Sequence, residues 1–266
     1  MLQIQAGQLE LWLAQVFWPF VRIGACFMIA PVFAARYVPA RVRIVLALAI
    51  ALLVAPLIQV PAVSPFSADG IAITAQQLLI GLSLGFALQL VFDALTLGGQ
   101  VIANSMGLSF AMNQDPLRGS GTPAIGQFYT LLVTMTFLAL GGHLALIEIL
   151  VQGFQTLPLG ATGIGRDSLW GLVAWGSTLF AGAVTVALPG VTALLIVNLS
   201  FGVMSRAAPS FNLFAVGFPV SLVLGLIILL VGLPQMQDSF IELLGKAFVF
   251  LRELSLGQTN ALLSLL

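Results

Sequence analysis

The sequence predicts an all-α integral membrane protein built from about six long apolar helices. Of its 266 residues 60% are apolar and only 7% are charged, against about 25% charged in an ordinary soluble domain. Apolar runs near or above the ~20 residues needed to cross hydrocarbon recur along the chain. Twenty-seven glycines, several at the spacing that lets helix backbones approach closely, point to tight helix packing. With so few charges the outside must be covered by lipid or by other subunits, and a water-soluble monomer is excluded.

The first run is Leu11 to Ala35, with Arg22 as its one charge. Val42 to Val60 follows, then Ile71 to Leu97 with Asp93 near its end, and Phe128 to Val151 containing His143 and Glu148. Leu169 to Ser205 has no charge; as one helix it would be roughly 55 Å long, beyond a bilayer core of about 30 Å. It is expected to bend, tilt steeply or fold back, with Pro189-Gly190 as the helix break, because proline removes a ladder donor and glycine loosens the backbone. Phe211 to Leu233 is the sixth run. Beyond it Asp238, Glu242 and Lys246 recur every four residues on one face of a Leu- and Phe-rich stretch, which predicts an amphipathic C-terminal helix.

Met1 to Gln8 has no basic n-region, so the first helix is expected to stay rather than be cleaved. Arg36, Arg41 and Arg43 cluster behind it, whereas Gln59 to Gly70 has no Lys or Arg. The positive-inside rule then puts the first loop in the cytoplasm and the N-terminus outside.

Nine Lys and Arg against nine Asp and Glu leave no net charge and no basic face for a nucleic-acid partner. One cysteine, Cys26, and one histidine, His143, make neither a disulfide nor a structural zinc site, so no metal or cofactor is expected. No phosphate loop ending in Lys-Ser or Lys-Thr occurs, which excludes an ATPase. Ser109 in "GLSF" with His143 in a later run is a thin case for an intramembrane protease, because the second glycine of a nucleophile elbow is missing.

Arg22, Asp93 and Glu148 lie within apolar runs, where an exposed charge costs at least a few kcal/mol. A proton or ion relay is one reading; interhelical pairing or snorkelling is the other, favoured because three scattered charges form no dense relay and arginine does not exchange its proton. Gly81 with Gly85, and Gly217 with Ser221 and Gly225, have helix-packing spacing, read as contacts within one chain rather than between subunits.

Between the third and fourth runs lies "NSMGLSFAMNQDPLRGSGTPA", Asn104 to Ala124, whose glycines and prolines forbid a regular helix throughout. Irregular backbone at membrane depth must be buried in protein or line a wet cavity. Met106, Leu108, Phe110 and Met112 supply bulky or flexible side chains able to fill a gap and repack. A movable stopper and an ordinary surface loop both remain open on the residues alone.

The strings "APVFAARYVPARVRIVLALAI" from Ala30, "QQLLIGLSLGFALQLVF" from Gln76, "MGLSFAMNQDP" from Met106, "GGHLALIEILVQGFQTLPLG" from Gly141 and "RAAPSFNLFAVGFPVSLVLG" from Arg206 carry a resemblance. In order and spacing the chain resembles the FliR/SctT family of type III export-gate membrane proteins over nearly its whole length.

The resemblance implies a FliP-like part, 1–168, followed by a FliQ-like helical hairpin, 169–266, within a gate shared with FliP and FliQ. It implies a bacterial inner-membrane location in the flagellar basal body and passage of unfolded flagellar subunits. Energy would come through FlhA, FlhB and a separate ATPase, with no catalysis in this chain. The family's plug loop corresponds to Met106 through Thr122: Phe110 and Met112 in the closed passage, Gly119 and Gly121 as hinges, Gly107 at its start and Asp115-Pro116 on the family pattern. Asn113 departs from that pattern, since relatives often carry a second aromatic there. An injectisome gate subunit and, motivated by Pro189-Gly190, a small-solute transporter are the alternatives.

Overall fold

The computed structural model describes residues 6–108, 124–160, 163–207 and 213–256. Among them are eight α-helices and no strand: α1 (Ala6–Ile29), α2 (Ala40–Val54), α3 (Ala68–Ser105), α4 (Ala124–Ala139), α5 (Gly142–Thr156), α6 (Arg166–Trp175), α7 (Ser177–Ala207) and α8 (Leu213–Leu256). Five helices are long and apolar enough to cross a membrane, or six if α4 and α5 count as one span. The all-α membrane architecture stands as expected.

Local chemistry sets the ends of these helices. α1 gives way to a turn at Pro31 and Val32, where Val32 takes φ 70° and Phe33 stacks on Phe27 at 4.2 Å. Pro39, extended at φ −59° and ψ 143°, opens α2 and suits an N-terminus because its missing N–H has no helical partner to lose. Ser67 caps α3: its Oγ accepts the Gly70 N–H at 3.1 Å, and Asp69 stands in the first turn where the helix dipole favours an anion.

Three expectations about helix boundaries are corrected. Pro189 and Gly190 do not interrupt the chain; α7 stays helical through both, with Pro189 exposed and Gly190 buried beside Ile102 and Ile228. The run is interrupted instead at Gly176, between α6 and α7, whose N–H reaches Val173 O at 3.1 Å. A proline is tolerated where the rest of an apolar helix keeps its ladder. Conversely, the Phe128 to Val151 run is broken between α4 and α5 at Leu140 and Gly141, with Gly141 at φ 70°. The buried Phe137 ring fills the place a side chain on Gly142 would need. Finally, the tail is not set off from the sixth run, since α8 is continuous from Leu213 to Leu256 through Pro219 and Pro234, but its expected two-faced character stands: Asp238, Glu242 and Lys246 are exposed while Phe240, Leu244 and Ala247 are buried.

The chain divides into two compact units, each made of non-consecutive stretches. Unit 1 comprises Met1–Leu90, Phe137–Ser177 and Gly245–Leu266; unit 2 comprises Val91–Thr136 and Thr178–Leu244.

In unit 1, α1 and α3 run parallel in close contact. Trp18 Nε1 donates to Thr74 Oγ1 at 3.1 Å, and further along Gly81 meets Arg22 and Ala25 while Gly85 meets Cys26 and Ala30. A Cβ on Gly85 would lie 2.7 Å from Cys26 O, so only glycine permits this approach. Trp175 closes the other side of the core: its Nε1 donates to Ala87 O at 3.0 Å and its ring stacks on Phe250 at 4.5 Å.

In unit 2, α7 and α8 form an antiparallel hairpin. As residue numbers rise on α7 they fall on α8, from Gly182 beside Leu243 through Gly190 beside Ile228 to Asn198 bonded to Ser221. The second half of α3 packs on this hairpin through Gly98, against Ala183 and Val186, and through Phe92, edge-on to Phe240 with centroids 5.5 Å apart. Its other face meets α4, where Gly99 admits Tyr129 and Thr96 bonds Thr130 at 2.8 Å.

Candidate functional site

The segment singled out by sequence begins where α3 ends, and that end is a well-formed cap. Gly107 takes φ 82° and its N–H donates to Asn104 O at 3.0 Å, while the Leu108 N–H reaches back to Ala103 O at 3.1 Å. This reciprocal pair of bonds is a Schellman motif with glycine in its left-handed position. It satisfies two of the terminal carbonyls and fixes the direction in which the chain leaves the helix.

Met106 sits on the same turn but is not a loose side chain. It is 1% exposed and lies over Gly225 on α8, where an added Cβ would stand 2.6 Å from both its Cγ and its Cε. The missing side chain of Gly225 makes the notch that receives it. Asn198 of α7 completes the root: its Nδ2 donates to Ser105 O at 3.3 Å, and its Oδ1 accepts the Ser221 hydroxyl at 3.1 Å. Three helices therefore converge on one turn of backbone. Ser221 and Gly225 face contacts within their own chain, and Gly217 is also buried.

Phe110, Met112, Asn113, Asp115, Pro116, Gly119 and Gly121 lie outside the described residues, as does Ser109 of the protease pair. Sequence reasoning missed Asn198 although a signal was present. It is the one carboxamide in the charge-free run from Leu169 to Ser205, and a group of that kind seeks a partner in apolar surroundings.

Of the ionisable residues that the sequence places within apolar runs, Arg22 has the most developed setting. Its side chain is 0% exposed in unit 1. Nε donates to Gln77 Oε1 at 2.7 Å, and the two terminal nitrogens donate to Gly153 O at 3.0 Å and Leu157 O at 2.8 Å. Those carbonyls belong to the C-terminal end of α5, the negative pole of its dipole, and the guanidinium lies 4.2 Å above the Phe154 ring. The buried cation is stabilised by backbone carbonyls, an amide oxygen and an aromatic face. It works as a clamp joining α1, α3 and α5.

Glu148 is exposed in unit 1 and accepts the Gln152 amide at 2.9 Å. Asp93 lies on the unit 2 stretch of α3 and is not without a partner. His143 belongs to unit 1.

Residues 13–247 match the family described as Bacterial export proteins, family 1. The chain is 37% identical over 254 residues to the flagellar biosynthetic protein FliR of Pectobacterium carotovorum subsp. carotovorum, covering 96% of this chain and 97% of that protein. It is 35% identical to the flagellar biosynthetic protein FliR of Escherichia coli strain K12 over 254 residues, with the same coverage of 96% and 97%. To the protein of that name from Aquifex aeolicus it is 32% identical over 216 residues, 81% of this chain and 83% of that one.

Proposed function

The chain belongs to the bacterial export proteins, family 1, and from that premise we propose that it is a structural and gating subunit of the flagellar type III export channel. Its relatives' names make it a flagellar export-apparatus component, and its long apolar helices make it a multi-pass protein of the inner membrane. In the finer reading it joins FliP and FliQ in a helical gate, meets FlhB and FlhA, and passes unfolded flagellar subunits. The 1–168 stretch is the FliP-like part and 169–266 the FliQ-like part; the antiparallel α7–α8 hairpin supports the second assignment.

The observation that carries the gating role is the built root at Met106 and Gly107. A segment that must block a passage and later withdraw needs one end that does not move. The Schellman turn, the Gly225 notch and the Asn198 bond supply a fixed end. From it the chain continues into the stretch holding Phe110 and Met112, with Gly119 and Gly121 as hinges. An uncharged, deformable constriction blocks water and ions at rest without offering a passing polypeptide a specific site to stick to. Energy comes from FlhA, FlhB and a separate ATPase.

Removing Ser109 to Gly121 while keeping Met106 and Gly107 tests this. The assembled gate reconstituted in vesicles should leak ions well above the intact assembly. Equal conductance would overturn the plug. The solute-transporter alternative drew on a break at Pro189-Gly190, and with α7 continuous there that motive is gone. The flagellar names of the relatives favour flagellar over injectisome use.

A further inference from the structure

α2 packs on α1 but buries only Ala47, Ala51 and Val54. Beyond its first turn the rest of its surface is aliphatic: Val45, Leu48 and Leu52 are 65%, 42% and 54% exposed along one side. Where other helices of this chain meet a neighbour they use glycine notches or a hydrogen-bonding side chain, as at Gly81, Gly225 and Asn198. The exposed side of α2 has neither glycine nor a hydrogen-bonding side chain between Ile44 and Leu53; Ala49 is its one exposed small residue, since Ala47 and Ala51 are buried.

Charge at one end of this surface is one-sided. Between Leu11 and Ala68 the sequence has four arginines and no Asp or Glu. Two are consumed internally: Arg22 in the clamp on α5, and Arg43 by folding back on Val38 O at 3.0 and 3.3 Å. Arg36 and Arg41 are exposed, and Tyr37 between them is 71% exposed. Arg41 lies on the same helix side as Val45, Leu48 and Leu52, at spacings of four, three and four. From Val42 to Leu53 the aliphatic surface runs about 16 Å, close to one leaflet of a bilayer core about 30 Å thick.

We infer that α2 seats an anionic phospholipid, its acyl chains along Val45, Leu48 and Leu52 and its phosphate held by Arg36 and Arg41. Guanidinium matches phosphate oxygens bidentately, and the exposed Tyr37 between the two arginines is of the residue type enriched beside headgroups. The inference rests on the surface of α2 and the turn that precedes it, and is independent of the gating role proposed above.

The full chain purified in mild detergent is exposed to phosphatidylglycerol, to phosphatidylcholine and to glycerol phosphate, and retained lipid and melting temperature are read. Phosphatidylglycerol should be retained and raise the melting temperature, whereas phosphatidylcholine and glycerol phosphate should do neither. The pair Arg36→Gln and Arg41→Gln should lower phosphatidylglycerol retention roughly tenfold or more, and Arg36→Lys with Arg41→Lys should keep most of it. A photo-crosslinker at Leu48 in cell membranes gives a second readout that needs no loss of charge, and it should yield lipid adducts. Equal retention of the two lipids, wild-type retention in the glutamine pair, or adducts to protein in place of lipid would each overturn the site.

Discussion

Met106 and Gly225 fit one another as knob and notch: a Cβ on Gly225 would lie 2.6 Å from Met106 Cγ. Rotating the far end of the methionine does not relieve that contact, so the whole side chain must leave. Gly225→Ala is expected to destabilise the protein by about 2 kcal/mol, the range for overpacking a well-filled interior. Met106→Ala in the same chain should restore most of the loss. The pair measured as a double-mutant cycle by thermal unfolding in detergent should show strong coupling, and additive losses would contradict the contact.

Gly107 carries the left-handed turn that ends α3, at φ 82°. Gly107→Ala should cost roughly 1–2 kcal/mol because a Cβ clashes with the carbonyl in that conformation. Gly107→Asn should cost less, since asparagine tolerates the region better. Unfolding midpoints of the two variants, ranked against wild type, check the order.

Arg22 is expected to be irreplaceable even by lysine. Its fork reaches an amide oxygen on α3 and two carbonyls on α5 at once, which a single ammonium cannot reproduce. Arg22→Leu leaves buried acceptors without donors and should cost about 3 kcal/mol. Arg22→Lys should recover only part of that. A lysine variant with wild-type stability would show that charge alone matters at this position.

Gly81 admits the α1 backbone at Arg22 and Ala25, and a Cβ there would meet Ala25 Cβ at 2.8 Å and the Arg22 carbonyl more closely still. Neither atom is the end of a flexible chain, so Gly81→Ala must push two helices apart. A loss of about 3 kcal/mol is expected. Gly24, whose Cβ would meet nothing within 4 Å, is the control: Gly24→Ala should be neutral or slightly stabilising in the same assay.

Much of this organisation was legible in the sequence. Gly81, Gly85 and Gly225 announced themselves by spacing, and each faces a neighbour within the chain. Arg22 was recognisable as a charge in need of partners, yet its partners are mostly backbone carbonyls, which every residue possesses and no sequence pattern marks. The break at Leu140 and Gly141 was invisible to hydropathy, which counts apolar residues and is blind to φ. Pro189 misled for the opposite reason: the rule that proline ends helices weighs one lost bond, not the cost of freeing a whole turn of backbone in apolar surroundings. The segment after Met106 stood out by its composition, while the anchoring of its root by Asn198 and Gly225 depends on residues about ninety and a hundred and twenty positions further along.

Trp175 stacks on Phe250, and both are buried in the core of the first unit, where the indole also bonds α3 at Ala87 O. During synthesis the indole therefore emerges from the ribosome long before its partner exists. Every nascent chain passes through a stage in which an early core stands open, waiting for the last helix to dock. A chain halted ahead of Gly245 leaves Trp175 without its stacking partner. Docking of the stretch that holds Phe250 is thus the step that covers the indole and closes the first unit.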